Sequence, residues 1–425
     1  MSNTEEILQA GGSSELVDCG VLPYPESVRE WPILIVLAAI QFIHIMDFMV
    51  MMPLGPQFMR LYEITAQQFG FLVSIYTFTA GICGFLAAFI IDRFDRKLTL
   101  ILLCVGFTIA TLLCALSFNY DMLLSARALA GAFGGVMSAV VYSIIGDLIP
   151  EYRRGAATGT VMSSFSLAAV IGVPAGLFLT DLLDWRAPFF FLTILGGLII
   201  IAAIRILPPV RNHLLHNQDN NPLRQAQKIF FNRNHLIGFA LIGVLMFAGF
   251  SIIPFISTYM VANVGIREID LIYVYFFGGL LTFFTSRLIG QFADRYGKRK
   301  VFGLMAILSL IPILLITHMS KVPLATALIV TTLFMILVSG RFVPLIALIA
   351  SSVAPHQRGS FMSFNSAVQQ ISAGLASLMA GSIIGMSVTG EMMHFDTVGI
   401  IAATATVICI FLSVQLRSVE ESATK

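Results

Sequence analysis

The feature that most constrains this chain is a succession of apolar stretches, each about 20 residues long, separated by short polar or charged gaps. A helix rises about 1.5 Å per residue and the hydrocarbon of a bilayer is about 30 Å thick, so each stretch is long enough to cross it as a helix. Twelve spans are read, at roughly 32–57, 68–91, 99–117, 122–146, 157–180, 187–207, 236–262, 270–292, 301–318, 323–350, 360–385 and 396–415. Composition closes the alternatives. Apolar residues make up 57% of the chain and charged residues 11%, against about 25% charged in an ordinary soluble domain. One soluble core cannot hide so many apolar runs. A disordered chain would not carry them. A formal net charge of +2 gives no basic excess for nucleic acid. The expected fold is an all-α polytopic membrane protein, its partner the lipid bilayer.

The longest non-apolar interval, 208–235, contains Pro208, Pro209 and Asp219-Asn220-Asn221-Pro222. It divides the chain into a polar N-terminus (1–30), six spans (31–207), a central linker (208–235), six spans (236–417) and a tail (418–425). Cytoplasmic loops are enriched in Lys and Arg. With the N-terminus inside, 18 of the 25 Lys and Arg fall on the inner side, and Arg60, Arg186, Arg267 and Lys321 on the outer. Both termini are therefore expected in the cytoplasm, with the protein in the plasma membrane. Glu5, Glu6 and Glu15 stand where a secretory signal would be basic, so none is expected. The five cysteines show no metal spacing and read as small buried hydrophobes.

The two groups of six spans repeat. "IDRFDRK" (91–97) follows span 2 and "ADRYGKRK" (293–300) follows span 8, with Asp92 and Asp294 202 residues apart. "PEYRRG" (150–155) follows span 4 and "PHQRG" (355–359) follows span 10, with Arg154 and Arg358 204 apart. Two marker pairs at nearly one offset indicate duplication. Two related six-span halves with a site between them is a transporter plan.

These residues resemble the major facilitator superfamily over about residues 30–417. Its loop signature after span 8 is matched by Gly290, Asp294, Arg295, Gly297, Lys298 and Arg299. The copy after span 2 keeps Asp92, Arg93, Arg96 and Lys97 but has Ala88 and Asp95 in place of glycines. The twelve-span drug:proton antiporter branch is the nearer likeness. Its span 4 arginine followed by glycines is matched by Arg127, Gly131, Gly134 and Gly135. Its span 5 Gly/Pro stretch is matched loosely by Gly172, Pro174 and Gly176, without the fuller G-P-x-x-G-G form, and "DWRAPFF" (184–190) is also similar. The resemblance implies a cytoplasmic latch between the halves in the outward-open state. In it Asp92 would face span 11 near Gly359, Arg96 would bridge Asp92 to Asp147, and Asp294 would face span 5 near Gly155. Arg154 and Arg358 would belong to the same gate. The competing view is that these are topogenic charges only, yet that needs no aspartate at matching places in both halves.

Charges inside a bilayer cost about 2.5–3.5 kcal/mol each on insertion scales and default to functional hypotheses. Asp47 lies in span 1 with His44 three and Gln41 six residues before it. At about 100° per residue the three fall within an arc of roughly 120°. Arg127 lies in span 4, and small residues follow it, Gly131, Gly134, Gly135 and Ser138. In antiporters of the resembling kind a span 1 acid pairs with the span 4 arginine, and spans 1, 4, 7 and 10 line the cavity. Asp47, Arg127 and His44 are the expected proton-coupling residues; the other view of the pair is a static packing contact, and of His44 a hydrogen-bonded helix histidine. A low dielectric favours the protonated carboxyl and a nearby guanidinium the ionised one, so separating the pair favours proton uptake. Arg341, in mid-span 10, reads equally as a cavity charge or as a partner of backbone carbonyls. Gln41, Tyr76, Tyr142, Tyr259, Asn365 and Gln369 are further cavity candidates, with inter-helix hydrogen bonds the alternative for the two span 11 amides.

An enzyme is not expected: there is no G-x-S-x-G, H-E-x-x-H or P-loop, and His213 and His216 have no further ligands around them. No cofactor is expected. The function expected is a monomeric secondary transporter exporting a small organic solute in exchange for protons. The alternatives are a metabolite importer or a lipid or lysolipid transporter.

Overall fold

The structure is a computed structural model and describes residues 30–87, 89–91, 94–210, 227, 229–354 and 358–417. Among the described residues, eleven helices are long and apolar enough to cross a membrane. In chain order they form span 1 (Glu30–Val50), span 2 (Ala66–Ala87), span 3 (Arg96–Ala115), span 4 (Tyr120–Leu148), span 5 (Tyr152–Leu182) and span 6 (Ala187–Ile206). Span 7 (Arg233–Val264), span 8 (Glu268–Tyr296), span 9 (Lys298–Thr317), span 10 (Leu324–Ser351) and span 12 (Phe395–Gln415) complete the eleven.

Span 11, Arg358–Ile383, is long enough at 26 residues but more polar, carrying Ser363, Asn365, Ser366, Gln369 and Gln370. Its position explains the polarity. It packs mainly along spans 2 and 7, so protein rather than lipid meets much of its surface. Ser74 Oγ donates to the Gly374 carbonyl at 2.8 Å, and Ser377 Oγ to the Gly70 carbonyl at 3.2 Å, tying span 11 to span 2 across the two halves.

Caps and breaks follow local chemistry. Asn119 caps span 4 by accepting from the Met122 amide, and Asn232 caps span 7 by accepting from the amides of Asn234 and His235. Span 5 runs from Glu151 to Leu167, widens into a π turn at Ala168–Gly172, and resumes at Val173–Leu182 with Pro174 in its first turn. Span 7 breaks after Phe250 at a 3₁₀ turn that contains Pro254. Span 10 divides at Arg341, with Pro344 in the first turn of its second piece. Proline supplies no N–H and crowds the preceding turn, so interruptions concentrate there. A two-residue antiparallel hairpin, Gly385–Met386 with Met392–Met393, joins spans 11 and 12.

The apolar core is divided in a way that sets the state of the molecule. One cluster is common to both halves and gathers Val50, Phe58, Phe69 and Trp185 with Phe255, Tyr259 and Phe395. These lie at the end of the bundle away from the 94–97 and 294–299 loops. At the loop-bearing, basic end the core is split into one cluster within 33–207 and another within 229–416, to which Phe85 of span 2 and Phe89 just beyond it attach. Spans 5 and 8 show the parting directly. At mid-height a β-carbon on Gly279 would come within 2.8 Å of the Ala169 carbonyl oxygen. Toward the basic end, β-carbons on Gly155 and Gly159 would have nothing within 4 Å. The halves are therefore joined at the far end, while at the basic end spans 5 and 8 part and the end of span 2 stays against span 11.

Candidate functional site

Span 1 delivers Gln41, His44 and Asp47 to one face by their three-residue spacing. Span 4 answers with Arg127, Gly131, Gly134, Ser138 and Tyr142, spaced three or four apart and so also on one face. Arg127 Nη1 lies 2.7 Å from Asp47 Oδ2, and both residues have 0% exposure. Thr111 Oγ1 of span 3 donates to Asp47 Oδ1 at 3.5 Å. The Arg127 guanidinium lies over the Tyr76 ring, 4.3 Å from its centroid. Tyr76 stacks on Phe48 at 5.2 Å, and Phe48 meets Phe250 of span 7 at 5.9 Å. An aromatic wall thus screens the ion pair from the opposite half. The pair's desolvation is offset by a short charge-assisted contact and by the ring face.

Toward the basic end the site becomes more open. Ser138 Oγ donates to Gln41 Oε1 at 2.9 Å and stands 3.3 Å from His44 Nδ1. Gln41 Nε2 donates to Tyr142 Oη at 3.4 Å, and Tyr142 is 38% exposed. Sequence reasoning noted Ser138 only as a small residue. Its four-residue spacing from Gly134 and Tyr142 was the available signal, but a hydroxyl's partner depends on the facing helix.

The Gly/Pro stretch of span 5 packs on span 1. A β-carbon on Gly172 would stand 3.2 Å from Met46 Sδ, and one on Gly176 would stand 2.7 Å from Val50 Cγ2. This holds span 1 close beside the bend at Pro174.

Two cavity candidates lie elsewhere. Tyr259 belongs to the closed end: its hydroxyl donates to the Met319 carbonyl at 2.8 Å and its ring packs on Phe395 at 4.6 Å. Arg341 is 1% exposed and faces the interior of the second half, where Nη1 donates to Thr406 Oγ1 at 2.8 Å and Ser309 Oγ at 3.2 Å. Neither residue lines the opening, because the break of span 7 turns one into the shared core and that of span 10 turns the other toward spans 9 and 12. Asn365 is fully buried, with neither amide atom hydrogen-bonded, while Gln369, one turn on, is half-buried.

Among the gate residues, Asp92, Arg93 and the Arg358 side chain lie outside the described residues. Arg96 Nη1 pairs with Asp147 Oδ2 at 3.0 Å and donates to the Ser143 carbonyl at 2.8 Å, linking spans 3 and 4. Lys97 Nζ donates to the Ile204 carbonyl at 2.9 Å. Asp95, where the resembling family has glycine, caps span 3 by accepting from the amides of Lys97 and Leu98. Arg154 Nε donates to the Ile149 carbonyl at 3.0 Å, and Arg299 Nη2 to the Leu416 carbonyl at 2.5 Å. Gly297 has φ +96° between spans 8 and 9, a left-handed value that glycine adopts without strain. Gly290 is half-buried, and the Arg295 guanidinium sits over Tyr296 at 5.4 Å. Asp294 is exposed, and the structure does not bring it to Gly155, where a β-carbon would meet nothing within 4 Å. At the far end, Arg60 Nη1 meets Glu268 Oε1 at 2.5 Å across the halves, a pair sequence reasoning did not connect. Among the described residues, no group of three or more His, Cys, Asp or Glu is placed to hold a metal.

Two related helical halves with charges buried inside them are the plan of a membrane transporter. The chain belongs to the Major Facilitator Superfamily, whose family model matches residues 37–377 and 239–425. It is 27% identical over 377 residues to the uncharacterized MFS-type transporter YwfA of Bacillus subtilis (strain 168), covering 86% of this chain and 87% of that protein. It is 22% identical over 371 residues to Multidrug resistance protein 2 of the same organism, covering 86% and 89%. Among solved structures it resembles a D-xylose-proton symporter, with TM-score 0.73, 16% identity, and 89% of this chain and 97% of that chain covered. It also resembles an inward-facing, occupied bacterial homologue of the human lysosomal transporter Spinster, with TM-score 0.67, 15% identity and 92% and 94% covered. These two likenesses concern the fold.

Proposed function

We propose that this protein exports a small organic or drug-like solute in exchange for protons, by alternating access. The observation that carries the reading is the Asp47–Arg127 pair, sealed in the first half with Tyr142 beyond it toward the basic end. A carboxylate held by a guanidinium in low dielectric stays ionised; moving the partners apart makes protonation favourable. Solute and proton can therefore compete for one site, which is the requirement for exchange. The Tyr76, Phe48 and Phe250 rings supply an aromatic surface suited to a partly apolar solute. The similarity to a relative named a multidrug resistance protein supports the same class of cargo.

The loop charges support a plasma-membrane orientation with both termini in the cytoplasm, which makes the splayed basic end an inward-facing opening. In this reading residues 31–207 and 236–417 are the moving halves, 208–235 is their linker, and one chain suffices. Asp92, Asp294 and the basic residues beside them close the inner end in the other state.

The test is accumulation of ethidium and a panel of small organic solutes in inverted vesicles holding the purified protein. An acid interior drives uphill uptake, and a protonophore collapses it. Solute movement in the same direction as the proton replaces export with import.

A further inference from the structure

His44 sits one helical turn before Asp47, and its two ring nitrogens face different surroundings. On one side, Ser138 Oγ lies 2.9 Å from Gln41 Oε1 and 3.3 Å from His44 Nδ1. A hydroxyl has one hydrogen, and an amide oxygen only accepts. The Ser138 hydrogen therefore goes to Gln41, and His44 donates Nδ1–H to the Ser138 oxygen. The Gln41 amide is oriented in turn by donation from Nε2 to Tyr142 Oη. This leaves Nε2 of the neutral ring as the bare nitrogen. On the other side, His44 Nε2 and Tyr76 Oη are both buried without a hydrogen-bond partner among the described residues. Both face one notch beside span 4, where a β-carbon on Gly134 would stand 2.8 Å from Nε2 and 3.0 Å from Tyr76 Oη. The Tyr76 ring lies against the Arg127 guanidinium that holds Asp47. Of the titratable and charged groups on the elements around His44, those gathered with it in the interior of the first half are Asp47 on its own span, Tyr76 on span 2, Cys104 and Cys114 on span 3, and Arg127 and Tyr142 on span 4.

We propose that His44 and Ser138 form the proton exit of the inward-facing state, carrying the proton from Asp47 to the basic-end opening. The proposal rests on Asp47 being the coupling carboxyl. The O–H bond of protonated Asp47 breaks and its proton passes to the Tyr76 hydroxyl oxygen, as the Tyr76 O–H bond breaks and an N–H bond forms at His44 Nε2, which faces the same notch. The Nδ1–H bond breaks as Ser138 Oγ takes that proton, and the Ser138 hydroxyl proton passes to water in the opening. One proton crosses and no electrons move. Asp47 is left ionised, the form in which Arg127 pairs with it at 2.7 Å. Gln41 and Tyr142 are positioning residues that aim the Ser138 hydrogen away from His44.

Two measurements on the full-length protein test this, and neither needs a transported solute. In lipid nanodiscs with ¹⁵N-histidine, the His44 signals are identified by their loss in His44→Gln. The expected wild-type ring is neutral with its proton on Nδ1; Ser138→Ala loses that preference and Ser138→Thr keeps it. A wild-type proton on Nε2 overturns the relay. In the second, detergent-solubilised protein is first equilibrated at a pH acid enough to protonate Asp47, and its proton release after an alkaline pH jump is followed with a pH-sensitive dye. Ser138→Ala is expected to release as many protons as wild type but about a hundredfold more slowly, the lower end of what a positioned proton-transfer group contributes. Ser138→Thr should restore the rate, and equal rates in wild type and Ser138→Ala overturn the relay. Asp47→Asn should release one proton fewer; an unchanged count removes the carboxyl on which the relay rests. Solute flux indifferent to a pH gradient would instead overturn the antiport reading and leave the tautomer and rate results standing.

Discussion

Arg127 reaches from span 4 to within 2.7 Å of the Asp47 carboxylate on span 1, and neither side chain meets solvent. The two spans touch little elsewhere at this depth except through the small residues of span 4, so the ion pair is a principal tie between them. A buried pair of this kind is weak evidence for stability, since desolvation opposes the Coulomb gain, and stronger evidence for a role that needs two arrangements.

The first prediction concerns that pair. Asp47→Asn keeps the shape but cannot titrate, so uphill, pH-driven flux in proteoliposomes should vanish while downhill exchange persists. Arg127→Ala should impair both and lower thermal stability, increasingly as pH rises, because the carboxyl must then ionise without a partner. The full cost of a lone buried charge is about 3–5 kcal/mol, which proton uptake relieves at low pH. Undiminished uphill transport by Asp47→Asn would move the coupling site elsewhere.

Gly134 makes the second. Its missing β-carbon is what admits the His44 ring, since that carbon would fall 2.5 Å from Cδ2 and 2.8 Å from Nε2. Gly134→Ala should displace His44 and destabilise the fold by about 1–3 kcal/mol, the usual range for overpacking. Melting of the purified protein, compared with Gly146→Ala, where a β-carbon meets nothing within 4 Å, provides the check.

The third distinguishes the opening from the interior of the second half. In a background without other cysteines, Tyr142→Cys should react readily with a small aqueous thiol reagent. Arg341→Cys should resist it, because Arg341 is enclosed by Ser309 and Thr406. Fast labelling at position 341 would show that span 10 presents this residue to water.

The fourth is carried by Arg60 and Glu268, the ion pair across the closed end. Both are partly exposed, so the pair is worth only about 0.2–1 kcal/mol. Arg60→Glu should therefore shift the equilibrium away from the inward-facing state by up to about fivefold, and Arg60→Glu with Glu268→Arg should restore it. Distances between spin labels at the two far ends of spans 1 and 7 report the populations; an unchanged distribution in Arg60→Glu assigns the closure to the shared apolar core alone.

Much of the site was legible along the chain because a helix converts spacing into direction. Gln41, His44 and Asp47 share a face by their three-residue interval, and Arg127 stands out as a charge inside an apolar run. The glycines after it announced a close approach without saying of what; His44 and Tyr76 turn out to fill the space beside Gly134. Tyr259 and Arg341 show the converse. Each has a residue type and depth that suit a cavity, but span 7 breaks at Pro254 before Tyr259 and span 10 divides at Arg341 itself, and periodicity does not carry through a break.

By itself the sequence determined the all-helical membrane fold, the order of its apolar spans, the orientation expected from the loop charges, and the charges that have to be paired inside the bilayer. Those follow from hydropathy, length and the cost of burying charge, which are properties of a segment and its solvent. Only the tertiary structure decided that the halves close around Phe58, Phe255 and Tyr259 and part between spans 5 and 8. It alone set Ser138 between Gln41 and His44, and Arg60 against Glu268. These depend on how one helix face meets another across long separations in the chain, where small differences in packing energy choose among arrangements that the same apolar pattern allows.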